Sequence, residues 1–361
     1  MKRILLTSAG GRLAITIARA LKAAPEPYYM IGVDASEFTL QRALTDEKHL
    51  VTRTNNPNYV ELMQSIIAET QPDLMLVCIT AEMQTISASR SILGCKTFLP
   101  DHQTIVTCDD KIAAANLFSK AGVPSPVSIK IDNKEDLRRA FNEIGNKLWL
   151  RATYGSAGKG SLPVNNFEDA VEWIDSNDGW GGFMAAKLLQ DRTVSWESVW
   201  RDGELIVAQS REREYWEYGR LAPSGISGIA GAAHTVHDNE VTQVGLAAVK
   251  AIDSRPNGIL GVDMAYDDDG VPNVTEINAG RFMSGGVCHF ALNSVNVPEI
   301  VVRCALGENL GFATPWLDPV PADMVYVSGL DVEPVITTVE GIQSAKHALE
   351  NRMNRLAVAR K

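Results

Sequence analysis

Over the first hundred residues, short unbroken apolar runs alternate with stretches where apolar positions recur every three to four residues. The runs at 3–7, 29–33, 74–79 and 97–99 predict strands. Leu13, Ile17, Leu21 and Ala24 mark the buried face of one helix, and Tyr59, Met63, Ile66 and Ile67 that of another. Asn56-Pro57 predicts the second helix's start, with Asn as cap and Pro in the first turn. Strands alternating with helices imply a parallel sheet with right-handed crossovers.

The rhythm changes after Pro100. Residues 111–121 predict a helix closed by Gly122 and Pro124. Runs at 147–151, 183–186, 193–200, 204–208, 262–266 and 272–278 predict strands. Arg201-Asp202-Gly203 and Asp267-Asp268-Asp269-Gly270 read as hairpin turns. The expected fold is therefore α/β: an N-terminal parallel sheet followed by an antiparallel and mixed α+β region. After Thr314 the chain is Pro-punctuated to Pro321, and a helix is expected near 339–356. No function attaches to that tail.

The chain has 361 residues, which suggests two or three packed units rather than one core. A composition of 45% hydrophobic and 22% charged residues is that of a soluble globular protein. Net charge is -10 with no basic run, which sets nucleic acid aside as a partner. No stretch approaches the roughly 20 apolar residues that span a membrane. The three apolar residues between Arg3 and Thr7 are too few for a signal peptide, so the cytoplasm is the expected compartment. Five cysteines without a Cys-x-x-Cys pair read as free thiols in a reducing setting.

Three stretches could carry chemistry. Ser8-Ala9-Gly10-Gly11 opens a helix and, with Asp34 after the second strand, partly matches a dinucleotide fingerprint. A tight strand–helix turn explains it better. Arg151 leads into a loop with Gly155, Ser156, Gly158, Lys159 and Gly160. Small residues there would let backbone N–H groups approach phosphate oxygens, and a plain hairpin turn explains the loop equally well. Finally, if Asp263 lies opposite Glu276 across the 267–270 turn, Asp263, Glu276 and Asn278 share one face of a sheet. Two carboxylates and an amide oxygen are hard ligands suited to magnesium; the other reading is a solvated acidic hairpin.

The order of these features resembles the ATP-grasp superfamily over residues 1–310. The residues that carry the resemblance are Asp110-Lys111, Arg151 with its glycine loop, Ala186-Lys187-Leu188-Leu189, and Asp263 with Glu276-Ile277-Asn278. It implies a preATP-grasp domain over 1–108, subdomains over 109–186 and 187–312, and a tail over 313–361. Nucleotide would lie between the two subdomains. Lys111, Arg151, Gly155, Ser156, Gly158 and Gly160 would face its phosphates, Lys187 and the Leu189 backbone its adenine. Thr193 stands where the family carries a ribose-binding acid, with Glu197 as a replacement. Glu276 would bridge two magnesium ions, with Asp263 on one and Asn278 on the other; manganese could substitute. Lys159, Arg281 and Ser284 would face the transferred phosphoryl group. Arg151 replaces the usual lysine, and Arg281 lies one place later than in most members.

The resemblance implies an ATP- and magnesium-dependent ligase joining a small-molecule carboxylate to an amine through an acylphosphate, with a homodimer as a candidate assembly. N-carboxylation or carbamate phosphorylation, a non-catalytic ATP-binding regulator, and a nicotinamide oxidoreductase using Gly10, Gly11 and Asp34 are the alternatives. Residues 211–237 are glycine-rich and expected to form a mobile substrate loop. Within it Arg211 and Arg213 could hold a substrate carboxylate or simply be solvated.

Overall fold

The computed structural model describes residues 1–155, 158, 160–282, 286–291, 294–329 and 338–360. Strands at Lys2–Leu6, Tyr28–Asp34, Glu47–Leu50 and Leu74–Leu76 form a parallel sheet, with Lys2–Leu6 flanked by Tyr28–Asp34 and Leu74–Leu76. Helices Arg12–Lys22 and Tyr59–Thr70 are the crossovers that the apolar spacing predicts. The expected strand at 97–99 reduces to one bridge, between Thr97 and Met75. The start of the second helix also shifts. Asn58 is its N-cap, and the Asn56 side chain instead accepts the Asn58 N–H at 2.9 Å, shaping the turn before it.

A small antiparallel sheet follows, in the order Ser128–Ile131, Phe183–Lys187, Leu148–Ala152, Leu162–Val164. Helix Lys111–Ala121 leads into it. Asp110 caps that helix by accepting from the N–H groups of Ile112 and Ala113, and Gly122 ends it at φ 68°.

The third sheet has seven strands. Pro272–Ala279, Gly258–Tyr266, Thr193–Arg201, Glu204–Trp216, Ala230–Val236 and Val325–Val327 run in that order, and Trp316–Leu317 pairs parallel to Glu204–Trp216. Asp202 and Gly203 turn the hairpin at φ 55° and 89°, the pair of positive angles a two-residue turn needs. Alternation along these strands divides the faces. Val194, Trp196, Val262, Met264 and Ile277 join one core cluster with Val241, Val244 and Ala248 of helix Asn239–Ile252. Ser195 and Asp263 point the other way, where Ser195 Oγ donates to Asp263 Oδ1 at 2.6 Å.

Two expectations fail in this sheet. Residues 211–237 are not one loop, because Glu204–Trp216 and Ala230–Val236 are paired strands and only 217–229 connects them. Arg211 and Arg213 are not solvated either. Arg211 is 2% exposed and the Arg213 side chain 6%, both within a strand at the centre of the sheet.

The chain ends where it began. Helix Val339–Ala359 packs on strand Glu47–Leu50 and helix Tyr59–Thr70 of the first sheet. Lys346 pairs with Glu37 at 2.8 Å, Arg352 with Glu69 at 2.7 Å, and Arg360 with Glu61.

Candidate functional site

A cavity of about 1410 Å³ opens between the small sheet, the large sheet and the N-terminal layer. Its lining includes Lys111, Arg151, Gly155, Gly158, Lys187, Leu189, Thr193, Asp263, Glu276, Asn278 and Arg281. Residues scattered over 170 positions of sequence are thus gathered at one cleft. Gly160 does not line it; its carbonyl accepts from Trp173 Nε1 at 3.0 Å, behind the loop. Ser156, Lys159 and Ser284 lie outside the described residues.

The acidic face has the geometry its spacing suggests. Asp263 stands opposite Glu276, and Asn278 falls opposite Gly261, two residues along the same strand. The Asn278 amide donates to Asp263 Oδ2 at 3.0 Å. Cations surround the group. Arg151 Nη2 meets Glu276 Oε2 at 2.5 Å, Arg213 Nη2 meets Asp263 Oδ1 at 3.4 Å, and Arg281 Nη2 donates to Asn278 Oδ1 at 2.8 Å. Burial alone would raise the Glu276 carboxyl, but Arg151, Lys111 and Arg281 together hold it below the usual carboxylate range. Glu276 is therefore a carboxylate at neutral pH, paired with Arg151.

Lys111, only 9% exposed, donates from Nζ to the Gly155 carbonyl at 2.7 Å. Burial and the neighbouring Arg151 lower its ammonium below the ordinary lysine range. Gly158, at φ 67°, lies against residue 226 of the 217–229 segment; a Cβ there would stand 2.5 Å from the Ile226 carbonyl oxygen. Gly158 and the connecting segment therefore touch, and both line the cleft. The lining also has an apolar part, with Phe118, Met184, Ala186, Leu188, Met264 and Val274.

The donor set fits a hard divalent cation. It offers two carboxylates and an amide oxygen on one rigid hairpin, while no cluster of three or more His, Cys, Asp or Glu occurs among the described residues. Oxygen ligands in that number leave positions for phosphate oxygens and water, as magnesium requires. Glu197 fails as a ribose contact, being 3% exposed and absent from the cavity wall. Ser195 and Arg213 brace Asp263. The polar alternation Thr193-x-Ser195 is the sequence signal for the first; the second, a candidate for holding a substrate carboxylate, lines the cleft but is spent in part on Asp263.

The N-terminal glycine turn is filled by the chain itself. Asp34 accepts from the Gly10 N–H at 3.0 Å and from Thr39 Oγ1 at 2.7 Å, and a Cβ on Gly10 would stand 1.7 Å from the Thr39 carbonyl oxygen. Asp34 is committed to the turn, where a dinucleotide site would need it for the ribose.

No known family model matches the chain. Solved structures do resemble it. The biotin carboxylase domain of 2-oxoglutarate carboxylase from Hydrogenobacter thermophilus, a dimer in complex with MgADP, ADP and bicarbonate, aligns at a TM-score of 0.69 and 17% identity, over 90% of this chain and 73% of that one. Carboxyaminoimidazole ribonucleotide synthase from Aspergillus clavatus, complexed with ATP, aligns at 0.65 and 18%, over 86% and 78%. L-amino acid ligase from Bacillus licheniformis aligns at 0.66 and 14%, over 85% and 74%. All three are ATP-grasp enzymes. This chain has the ATP-grasp fold, an α/β architecture of one parallel sheet and two antiparallel ones. No described helix is long and apolar enough to cross a membrane.

Proposed function

We propose that the chain is an ATP- and magnesium-dependent ligase that activates a carboxylate by phosphorylation and passes it to an amine. One observation carries the reading: an ionised Glu276, set opposite Asp263 and beside Asn278, is ringed by Lys111, Arg151 and Arg281 in one deep cleft. Asp263, Glu276 and Asn278 would hold magnesium, which when bound neutralises the nucleotide phosphates. Lys111 and Arg151 supply fixed positive charge for those phosphates. Arg281, held by Asn278, faces the charge that develops on the phosphorylated acid. The apolar part of the lining, with Lys187 and Leu189, takes the adenine. Domains over 1–108, 109–186 and 187–312 are the division this reading uses.

The test is ADP release with magnesium across paired carboxylates and amines. ADP formation that needs both a carboxylate and magnesium is the expected result. ATP binding without ADP release for any pair would instead favour a regulator. Bicarbonate belongs in the panel, because the Hydrogenobacter neighbour was solved with bicarbonate beside MgADP. ADP release on bicarbonate alone would move the reaction from ligation to carboxylation.

A further inference from the structure

Arg281 is held from two sides. Its Nη2 donates to Asn278 Oδ1 at 2.8 Å, within its own turn, and its Nε donates to Thr80 Oγ1 at 2.9 Å. Thr80 lies 201 residues away, at the first position of helix Thr80–Ser89, and both residues line the cleft. We propose that Thr80 is a positioning residue: the N-terminal layer uses its hydroxyl to aim the Arg281 guanidinium at the reacting group. The proposal rests on the ligase reading for the role of Arg281.

The first turn of that helix cannot drift with Arg281. Glu82, 6% exposed, accepts from Thr7 Oγ1 at 2.5 Å, Ser8 Oγ at 3.1 Å and Tyr59 OH at 3.0 Å. Three hydroxyls from two other elements pin the helix start to the parallel sheet. The 279–281 turn is gripped from the same side. Gly280, at φ 91°, leaves no room for a side chain: a Cβ would stand 2.8 Å from Met83 Sδ and 3.1 Å from Leu99 Cδ2. The contact at this turn is thus close, and the Thr80–Arg281 bond is a polar link across it. A guanidinium has a planar fork whose direction is set by the bonds at its nitrogens, so fixing Nε from one wall and Nη2 from another leaves it a single orientation. Valine keeps the shape of threonine and removes that bond.

The experiment measures ADP release, nucleotide binding and the Arg281 15Nε–H NMR signal in the full chain and in Thr80→Val, Thr80→Ser, Arg281→Ala and the double variant Thr80→Val/Arg281→Ala. Thr80→Val should lower kcat by about 10-fold, the worth of one hydrogen bond to a charged group, with ATP affinity changed less than about twofold. Thr80→Ser should recover most of kcat. The double variant should be no slower than Arg281→Ala, because Thr80 acts only through it. The Nε proton should exchange with water faster in Thr80→Val than in the parent or Thr80→Ser. Multiplicative losses in the double variant, equal loss of ATP binding, or unchanged Nε exchange would each overturn the proposal. If the parent releases no ADP with any pair, the ligase reading falls, and Nε exchange still decides whether Thr80 holds Arg281.

Discussion

Glu276 is the residue on which the cleft's charge balance turns. Its carboxylate meets Arg151 and sits within the fields of Lys111 and Arg281. Glu276→Gln keeps the shape and removes the charge. We expect magnesium-dependent ADP release to fall by at least about 100-fold, with the circular dichroism spectrum unchanged. ADP formation near the parent rate would sink the metal assignment. Glu82 makes the opposite case. Burial raises its pKa, and the hydroxyls of Thr7, Tyr59 and Ser8 only partly offset this. An unfolded glutamate ionises at about pH 4.3. The folded chain therefore binds the Glu82 proton more tightly, and stability declines as pH rises from there through the raised value. Glu82→Gln cannot ionise. Its Tm relative to the parent should climb between pH 4.5 and 8, and a flat difference would show that Glu82 is not what titrates. The pairing of Asp263 with Glu276 was legible in sequence because a turn and a period of two fix register. The bracing by Ser195 and Arg213 was not, since it depends on which strand comes to lie beside Asp263.

Elements were legible where their pattern follows burial. The helix at 111–121 and the strand after Phe183 stand where the apolar spacing puts them. Strand Glu47–Leu50 escaped because an edge strand of Glu, Lys and His has little alternation to detect. Ala230–Val236 escaped because alanine and glycine read as a loop, although Tyr215 closes on Gly231, its ring 2.0 Å from where a Cβ would stand. Glu204–Trp216 runs on past Ala208 through a charged half that pairs with Ala230–Val236, and that pairing is a property of the sheet and not of the segment. The turn at Gly10 yields a direct test. Gly10→Ala drives a methyl into the Thr39 carbonyl, and overpacking of that kind costs about 1–3 kcal/mol. Chemical denaturation should show a loss of that size or more, and an unchanged midpoint would contradict the close approach.

Across the whole molecule, the N-terminal sheet belongs to both ends of the chain. Its outer strand, Glu47–Leu50, is an edge, and the neighbour that covers it is helix Val339–Ala359. Arg352, 7% exposed between Ser65 and Glu69, ties that cover down. Removing residues 338–361 should expose this edge and lower thermal stability by several degrees. Nucleotide binding at the cleft should persist, because among the described residues none of the helix lines it. Loss of both together would mean that the helix supports the cleft as well. The same arrangement has a consequence for synthesis. A ribosome makes roughly 5–20 residues each second, so the first sheet waits many seconds with a bare edge before its last layer emerges. A strand made early is thus finished by a helix made late, and a stall between the two would leave exposed an edge able to pair with another chain.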